Sequence, residues 1–216
     1  SGTYPPLKIS KDSTALVLID MQVLALSDYL VWEAKQLGID ENKAKNVLID
    51  YDNRFKAATD MAKELLSACR QKGIRPVHVK IESYSGDACD TGYLHKSVGF
   101  LCPPSSEWSQ WIEDVKPMDG EIVLTKTCSG AVVGTMIERV LRNMGIQQVM
   151  VVGFYTDQCV ETTVRDLADC GFDVSLVTDA TMTQTMKRYQ NTIENIVNVY
   201  CRGEKAVDLI ERINKL

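Results

Sequence analysis

The chain has 216 residues, 45% of them apolar, with 29 acidic against 24 basic side chains and a net charge of -5. That is enough apolar material for one large core, read as a single domain over residues 1 to 216. The basic residues are scattered among acidic ones, which excludes nucleic acid as a partner, and no run of about 18 apolar residues offers a membrane span.

The chain opens SGTYPPLKISKDS, where the Ser-Gly start without Met reads as a foreign remnant. This stretch lacks the basic and then apolar regions of a signal peptide, so a cytoplasmic location is expected. TALVLI (14 to 19) reads as a buried strand. Residues 21 to 51 are too long for a simple strand-to-helix loop and are set aside as irregular. DNRFKAATDMAKELLSACRQKG (52 to 73) has helical period, and RPVHVKI (75 to 81) is the next strand.

A second irregular stretch, 83 to 120, is rich in Gly, Ser, Pro and aromatics. Long ordered loops of this kind often wall a binding site. The rhythm then resumes with a strand EIVLT (121 to 125), a helix GAVVGTMIERVLRNMG (130 to 145) and a strand QQVMVVG (147 to 153). A helix over 157 to 171, a strand DVSLVTD (173 to 179) and helical stretches at about 186 to 199 and 204 to 215 complete the chain. Three helices end in Gly (Gly73, Gly145, Gly171), the residue favoured where the chain turns through a left-handed conformation. Strands alternating with helices predict right-handed crossovers and an α/β fold with a mostly parallel sheet covered on both faces.

Ligands of such sheets bind beyond the carboxyl ends of the strands, so the residues there are the first candidates. Asp20 follows TALVLI, Glu82 follows RPVHVKI, Lys126 follows EIVLT, and QQVMVVG leads through FYTDQC to Cys159. With Thr156 or Asp157 as N-cap, Cys159 falls in a first helical turn, where N–H groups and the helix dipole favour a thiolate. The same N–H groups suit an oxyanion. A buried cysteine of purely structural role fits the local sequence equally well. The set is more informative than its members, because a thiol needs a base, a carboxylate can serve, and a nearby ammonium orients that carboxylate.

The other six of the seven cysteines (69, 89, 102, 128, 170 and 201) read as free thiols, with no C-x-x-C pair among them. His78 alternates with Val77 and Val79 and reads as a sheet residue, and His95 lies in the second irregular stretch. Asp87, Asp90 and His95 are too scattered for a metal cluster, so neither a metal nor any other cofactor is expected. Nucleotide cradles G-x-x-x-x-G-K-[ST] and G-x-G-x-x-G are missing, as is G-x-S-x-G. Gly130 and Gly134, four apart, read as a close-packing face. Glu82 and Tyr155 are the residues read as contacting substrate, with Gln22, Trp32 and Tyr51 assigned either to the pocket or to packing.

ALVLIDMQ, LTKTCSGA and VVGFYTDQCVETTVRDLADCGFDVSLVTDA together resemble the isochorismatase-like cysteine hydrolases, a likeness spanning about residues 14 to 200. The resemblance implies a three-layer fold with a six-stranded parallel sheet. It implies Asp20 as base, Lys126 as orienting cation and Cys159 as nucleophile. It further implies a cis peptide between Phe154 and Tyr155, an oxyanion hole from the N–H groups of Tyr155 and Cys159, and a homo-oligomer, either dimer or tetramer. Members that cleave isochorismate often lack the cysteine. Nicotinamidases carry metal-binding histidines where this chain reads IESYSGDACD. What remains resembles the metal-free branch acting on ureido, carbamoyl or small amide compounds, such as the ureidoacrylate, biuret and N-carbamoyl amino acid hydrolases. Three rival readings are a nicotinamidase-type amidase, a non-catalytic scaffold on the same fold, and a redox-sensing thiol at Cys159.

Overall fold

The computed structural model describes residues 3–216; Ser1 and Gly2, read above as a foreign remnant, lie outside the described residues. Six parallel strands form one sheet in the order β3-β2-β1-β4-β5-β6. They are β1 (Thr14–Ile19), β2 (Arg75–Ile81), β3 (Ile122–Lys126), β4 (Gln148–Phe154), β5 (Asp173–Met182) and β6 (Arg202–Glu204). The helices are α1 (Ser27–Gln36), α2 (Glu41–Val47), α3 (Ile49–Lys72), α4 (Tyr93–Ser97), α5 (Ala131–Gly134), α6 (Ile137–Asn143), α7 (Glu161–Asp169), α8 (Met186–Ile196) and α9 (Ala206–Asn214). The expected three-layer α/β architecture is present, with α3 and α9 on one face and α5 to α8 on the other.

β1 is central and every one of its residues is buried. Its side chains alternate between the faces: Leu16 and Leu18 join the core under α3 and α9, while Ala15, Val17 and Ile19 join the opposite core. This two-sided burial explains why the strand reads as an unbroken apolar run. Among the described residues, no helix is long and apolar enough to cross a membrane.

Four differences from the sequence reading have physical causes. Residues 21 to 51 hold α1, α2 and the start of α3 rather than an irregular loop. The helix expected over 130 to 145 is two short helices. Thr135 between them is extended (φ -144°, ψ -178°), and its hydroxyl accepts from the Ile137 N–H at 3.0 Å to begin α6. β6 has no apolar pattern to announce it. It is a three-residue edge strand whose Arg202 pairs with Asp173 at 2.5 Å and donates to the Pro5 carbonyl at 2.7 Å. The register of β4 against β5 shifts between Val151 and Gly153, and β5 runs on to Met182 rather than stopping at 179.

That shift converges on Gly153. Its φ is +119°, and a Cβ there would sit 2.0 Å from the Ile19 carbonyl oxygen. The close approach of β4 to the end of β1 therefore requires glycine. Gly153→Ala is expected to lower the unfolding free energy by about 3 kcal/mol or more, the scale of backbone strain added to overpacking. Urea denaturation would show this as a lower midpoint at unchanged slope. A variant with the parental midpoint would contradict the packing described.

Candidate active site

The carboxyl ends of β3, β1 and β4 bring Lys126, Asp20 and Cys159 together. Lys126 is the last residue of β3, with its aligned neighbour Ile81 at the end of β2. Its long stem reaches past the end of β2 to Asp20, which follows β1 directly. Asp20 takes a left-handed conformation (φ +48°) while its N–H donates to the Val79 carbonyl at 2.8 Å. The Lys126 ammonium donates to Asp20 Oδ2 at 2.7 Å, to the Cys128 carbonyl at 3.1 Å and to Cys159 Sγ at 3.4 Å. All three side chains are buried. Asp20 Oδ1 is buried too and has no hydrogen-bond partner among the described residues.

Glycines at the start and end of α5 let it sit close to the Lys126 stem and to α7. A Cβ on Gly134 would lie 3.0 Å from that of Lys126 and 2.7 Å from Cys128 Sγ, and one on Gly130 would lie 2.8 Å from Thr162 Cγ2. The two glycines permit close packing, as their spacing predicted.

Cys159 lies in a π-helical turn, Thr156–Val160, that leads into α7. Neither Thr156 nor Asp157 caps this turn, contrary to the sequence reading, because both are engaged elsewhere. Thr156 shares a hydrogen bond of 2.9 Å with the Thr181 hydroxyl, and Asp157 pairs with Arg188 and Thr183. The wider turn is closed by the Val160 N–H donating to the Tyr155 carbonyl at 3.3 Å. The Thr163 hydroxyl donates to the Cys159 carbonyl at 2.6 Å and accepts from the Ala131 N–H at 3.1 Å, tying α7 to α5 beneath the thiol. The Phe154–Tyr155 peptide is cis. No hydrogen bond among the described residues uses the Tyr155 N–H.

The electrostatics depart from expectation. Burial, and secondly the Asp20 carboxylate, push the Cys159 thiol up to about 12, although Lys126 acts in the opposite direction. Burial also raises Asp20, against the pull of Lys126. The Lys126 ammonium is held charged: burial opposes the charge, but Asp20 and Cys159 outweigh it. The depressed thiol expected from helix-terminus chemistry is therefore not what this site produces. One ammonium faces two acids in a dry setting, so Asp20 and Cys159 together retain one proton and one negative charge.

A cavity of about 230 Å³ opens over this group. Asp20, Tyr155 and Cys159 form part of its lining; Leu24, Tyr29, Leu30 and Glu33 wall it from α1 and the turn before it. His95, Val98 and Phe100 wall it from the second irregular stretch, and Gln158 and Gln184 complete the polar lining. Both irregular stretches thus serve as walls. They are locked to each other by aromatic contacts, with the Tyr29 ring 5.3 Å from that of Trp108 and 6.0 Å from that of Phe100.

Three of the side chains read as substrate contacts do not line the cavity. Gln22 is wholly buried and holds backbone together, accepting from the Ile81 N–H at 2.8 Å and donating to the Ile81 and Ser109 carbonyls. Trp32 is half exposed and stacks on Tyr29 at 5.7 Å. Glu82 turns to Lys80 at 2.5 Å. Proximity to a strand end placed these residues near the site but could not give the direction of their side chains. Tyr51 stands behind the wall. Its hydroxyl donates to the Ala25 carbonyl at 2.5 Å and lies 2.7 Å from the Tyr155 hydroxyl.

His78 is a sheet residue, as read, with Nε2 2.9 Å from Glu121. Asp90 accepts from the Tyr84 and Ser85 N–H groups and Asp87 from that of Cys89, so both shape their loop. Sequence reasoning did not single out Glu33, Tyr29, Gln158 or Gln184 as lining. A polar residue on the otherwise apolar face of α1 was the one available signal for Glu33.

Residues 14–205 match the model of the Isochorismatase domain. An uncharacterized isochorismatase-family protein of Bacillus subtilis is 30% identical over 68% of this chain and 72% of its own length. The ureidoacrylate amidohydrolase of Pseudomonas savastanoi pv. phaseolicola is 26% identical over 74% of this chain and 67% of its own. Among solved structures, a cysteine hydrolase from Pseudomonas syringae pv. phaseolicola superimposes with a TM-score of 0.77 at 18% identity, covering 96% of this chain and 95% of that one. The N-carbamoylsarcosine amidase of Thermoplasma acidophilum does so with a TM-score of 0.66 at 19% identity, covering 90% and 96%. These two structures share the fold.

The two-acid arrangement makes a counter-intuitive prediction. Asp20→Asn removes the negative charge that raises the thiol and leaves Lys126 facing Cys159 alone, so the thiol should titrate well below about 12. Thiolate absorbance in the ultraviolet at neutral pH should therefore rise in Asp20→Asn and vanish in Asp20→Asn/Cys159→Ala. Equal absorbance in the parent and Asp20→Asn would refute the shared-proton description.

Proposed function

The chain belongs to the isochorismatase family, and we propose that within it the protein is a cysteine amidohydrolase cleaving a C–N bond of a small amide, ureido or carbamoyl compound through a thioester. The observation that carries this reading is the buried contact set in which one ammonium reaches both Asp20 Oδ2 and Cys159 Sγ at the floor of a cavity. The cavity is smaller than the roughly 300–1,000 Å³ of pockets for drug-sized ligands, which fits a small substrate.

In the first half-reaction Asp20 takes the thiol proton, on the Oδ1 that is otherwise without a partner, as sulfur attacks the carbonyl carbon. Negative charge passes from the carboxylate through sulfur to the carbonyl oxygen. The N–H groups of Tyr155 and Cys159 are assigned to receive it, each donor of such a hole contributing about 2.7 to 4 kcal/mol in enzymes where one was removed. Asp20, now neutral, gives its proton to the leaving nitrogen. Ammonia or an amine departs and an acyl thioester remains.

In the second half-reaction Asp20 accepts a proton from water as the water attacks the thioester, and returns that proton to sulfur when the acid product leaves. Lys126 stays charged throughout. It holds Asp20 in place and compensates whichever of the two acids carries the charge.

The rival readings are weaker on this geometry. A redox-sensing thiol needs to be accessible and of low pKa, whereas Cys159 is only 7% exposed and its thiol is raised. A metal-assisted nicotinamidase needs clustered ligands, and Asp87 and Asp90 are engaged within their own loop.

Ammonia release measured over a panel of ureides, carbamoyl compounds and linear amides tests the proposal. Cys159→Ala should reduce kcat on the best substrate by about 10,000-fold or more, the scale for losing the nucleophile of a catalytic triad. Asp20→Asn should be similarly inert despite its ionised thiol. Retention of parental turnover by either variant would sink the assignment.

A further inference from the structure

The cavity wall carries one carboxylate that the proposed chemistry does not use. Glu33, on the second turn of α1, lines the cavity and is half buried. It forms no salt bridge among the described residues, although Lys35, two positions on, is paired with Glu41. Around it the lining is aromatic and aliphatic, with Tyr29, Leu24, Leu30 and Phe100.

The cavity also has no cation to offer an anionic substrate. Neither Arg nor Lys belongs to its lining. Lys126 lies beneath the floor and is engaged by Asp20, Cys159 and the Cys128 carbonyl. The arginines nearest Gln184 are turned to other partners. Arg54 donates to the Thr183 and Gln184 carbonyls and pairs with Asp50, while Arg188 pairs with Asp157 and spends a further N–H on the Gln184 side-chain oxygen at 2.9 Å. His95 is kept neutral by burial and by the Lys126 charge. With the buried set balanced near neutrality, Glu33 leaves the cavity with a net negative charge.

We propose that Glu33 is a specificity residue that receives a cationic or N–H-rich group of the substrate, so that the protein acts on small amides or ureides bearing an amine or amidine rather than a carboxylate. This rests on the amidohydrolase reading for the identity of the scissile group. A substrate carboxylate would meet Glu33 with no compensating cation, whereas an ammonium would gain a charge-assisted hydrogen bond in a partly desolvated site. The Tyr29 hydroxyl stands beside the Glu33 carboxylate, which contributes after burial to raising that phenol.

Calorimetric binding to the full chain carrying Cys159→Ala, confirmed folded by its thermal melt, tests this without turnover. The probes are ω-amino primary amides, n-alkyl primary amides and ω-carboxylate primary amides, matched over a range of chain lengths. At the best-fitting length the amino amide should bind at least about tenfold more tightly than its carboxylate counterpart, the scale of one hydrogen bond to a charged group. Adding Glu33→Gln should bring the ratio towards one, and Glu33→Lys should reverse it. Tighter or equal binding of the carboxylates, failure of every amino amide to bind, or a preference that survives Glu33→Gln would each overturn the assignment. Cys159-dependent ammonia release from the unsubstituted protein is read separately. Its failure removes the hydrolase reading and leaves the charge preference to be judged on binding alone.

Discussion

A lysine ammonium removed from water is the constraint around which this molecule is arranged. Burying such an ion costs several kcal/mol even after relaxation, and the cost is offset only where partners surround it closely. Lys126 meets that condition with a carboxylate oxygen, a backbone carbonyl and a sulfur. Each partner comes from a different part of the chain. The ends of β1 and β3, the turn after β3 and the π-helical turn after β4 must therefore all arrive together. Gly134 and Gly153 serve that convergence, the first letting α5 approach Lys126 and the second letting β4 close on β1. Thr181 joins the same arrangement from β5, its hydroxyl donating to the Gly153 carbonyl at 2.7 Å.

Much of this was legible in the sequence, for a physical reason. A strand buried on both faces reads as an apolar run, so the polar residue that ends it is conspicuous, and Asp20 stood out that way. Lys126 ended a shorter apolar run, Cys159 followed from its place in the turn after a strand, and the roles of all three came from the family resemblance. What was not legible depends on side-chain direction or on distant segments meeting. Glu82 and Gln22 lie beside strand ends but turn to Lys80 and to backbone. Trp32 stacks on the outer side of the aromatic cluster while its neighbour Glu33 faces the cavity, a difference of one residue on one helix. β6 escaped because an edge strand of three residues held by Arg202 carries no hydrophobic period. The thiol was misjudged because proximity to a helix terminus was weighed without burial and without the second acid.

The buried Asp20, Lys126 and Cys159 set and the walls of the cavity above it are carried by different parts of the chain. The Asp20, Lys126 and Cys159 set is anchored at the carboxyl ends of β1 and β3 and in the turn after β4. The cavity walls come mainly from α1 and from the stretch around His95 and Phe100, which are fixed to each other through Tyr29, Phe100 and Trp108. Hydrogen bonds tie the second stretch to the strand ends as well: Gln22 donates to the Ile81 and Ser109 carbonyls, the Tyr84 hydroxyl donates to the Thr125 carbonyl at 2.7 Å, and the Gly92 N–H donates to the Thr127 carbonyl at 3.0 Å.

The paired hydroxyls of Tyr51 and Tyr155 have a consequence for the polarity of the cavity. A phenol has one proton to give. Tyr51 gives its proton to the Ala25 carbonyl, which can only accept, so the bond between the two phenols must use the proton of Tyr155. The hydroxyl of Tyr155 thus has no proton left for a ligand and shows the cavity only lone pairs. A group that looks amphoteric in the sequence is fixed by a backbone carbonyl, through the hydroxyl of Tyr51, as a one-way acceptor.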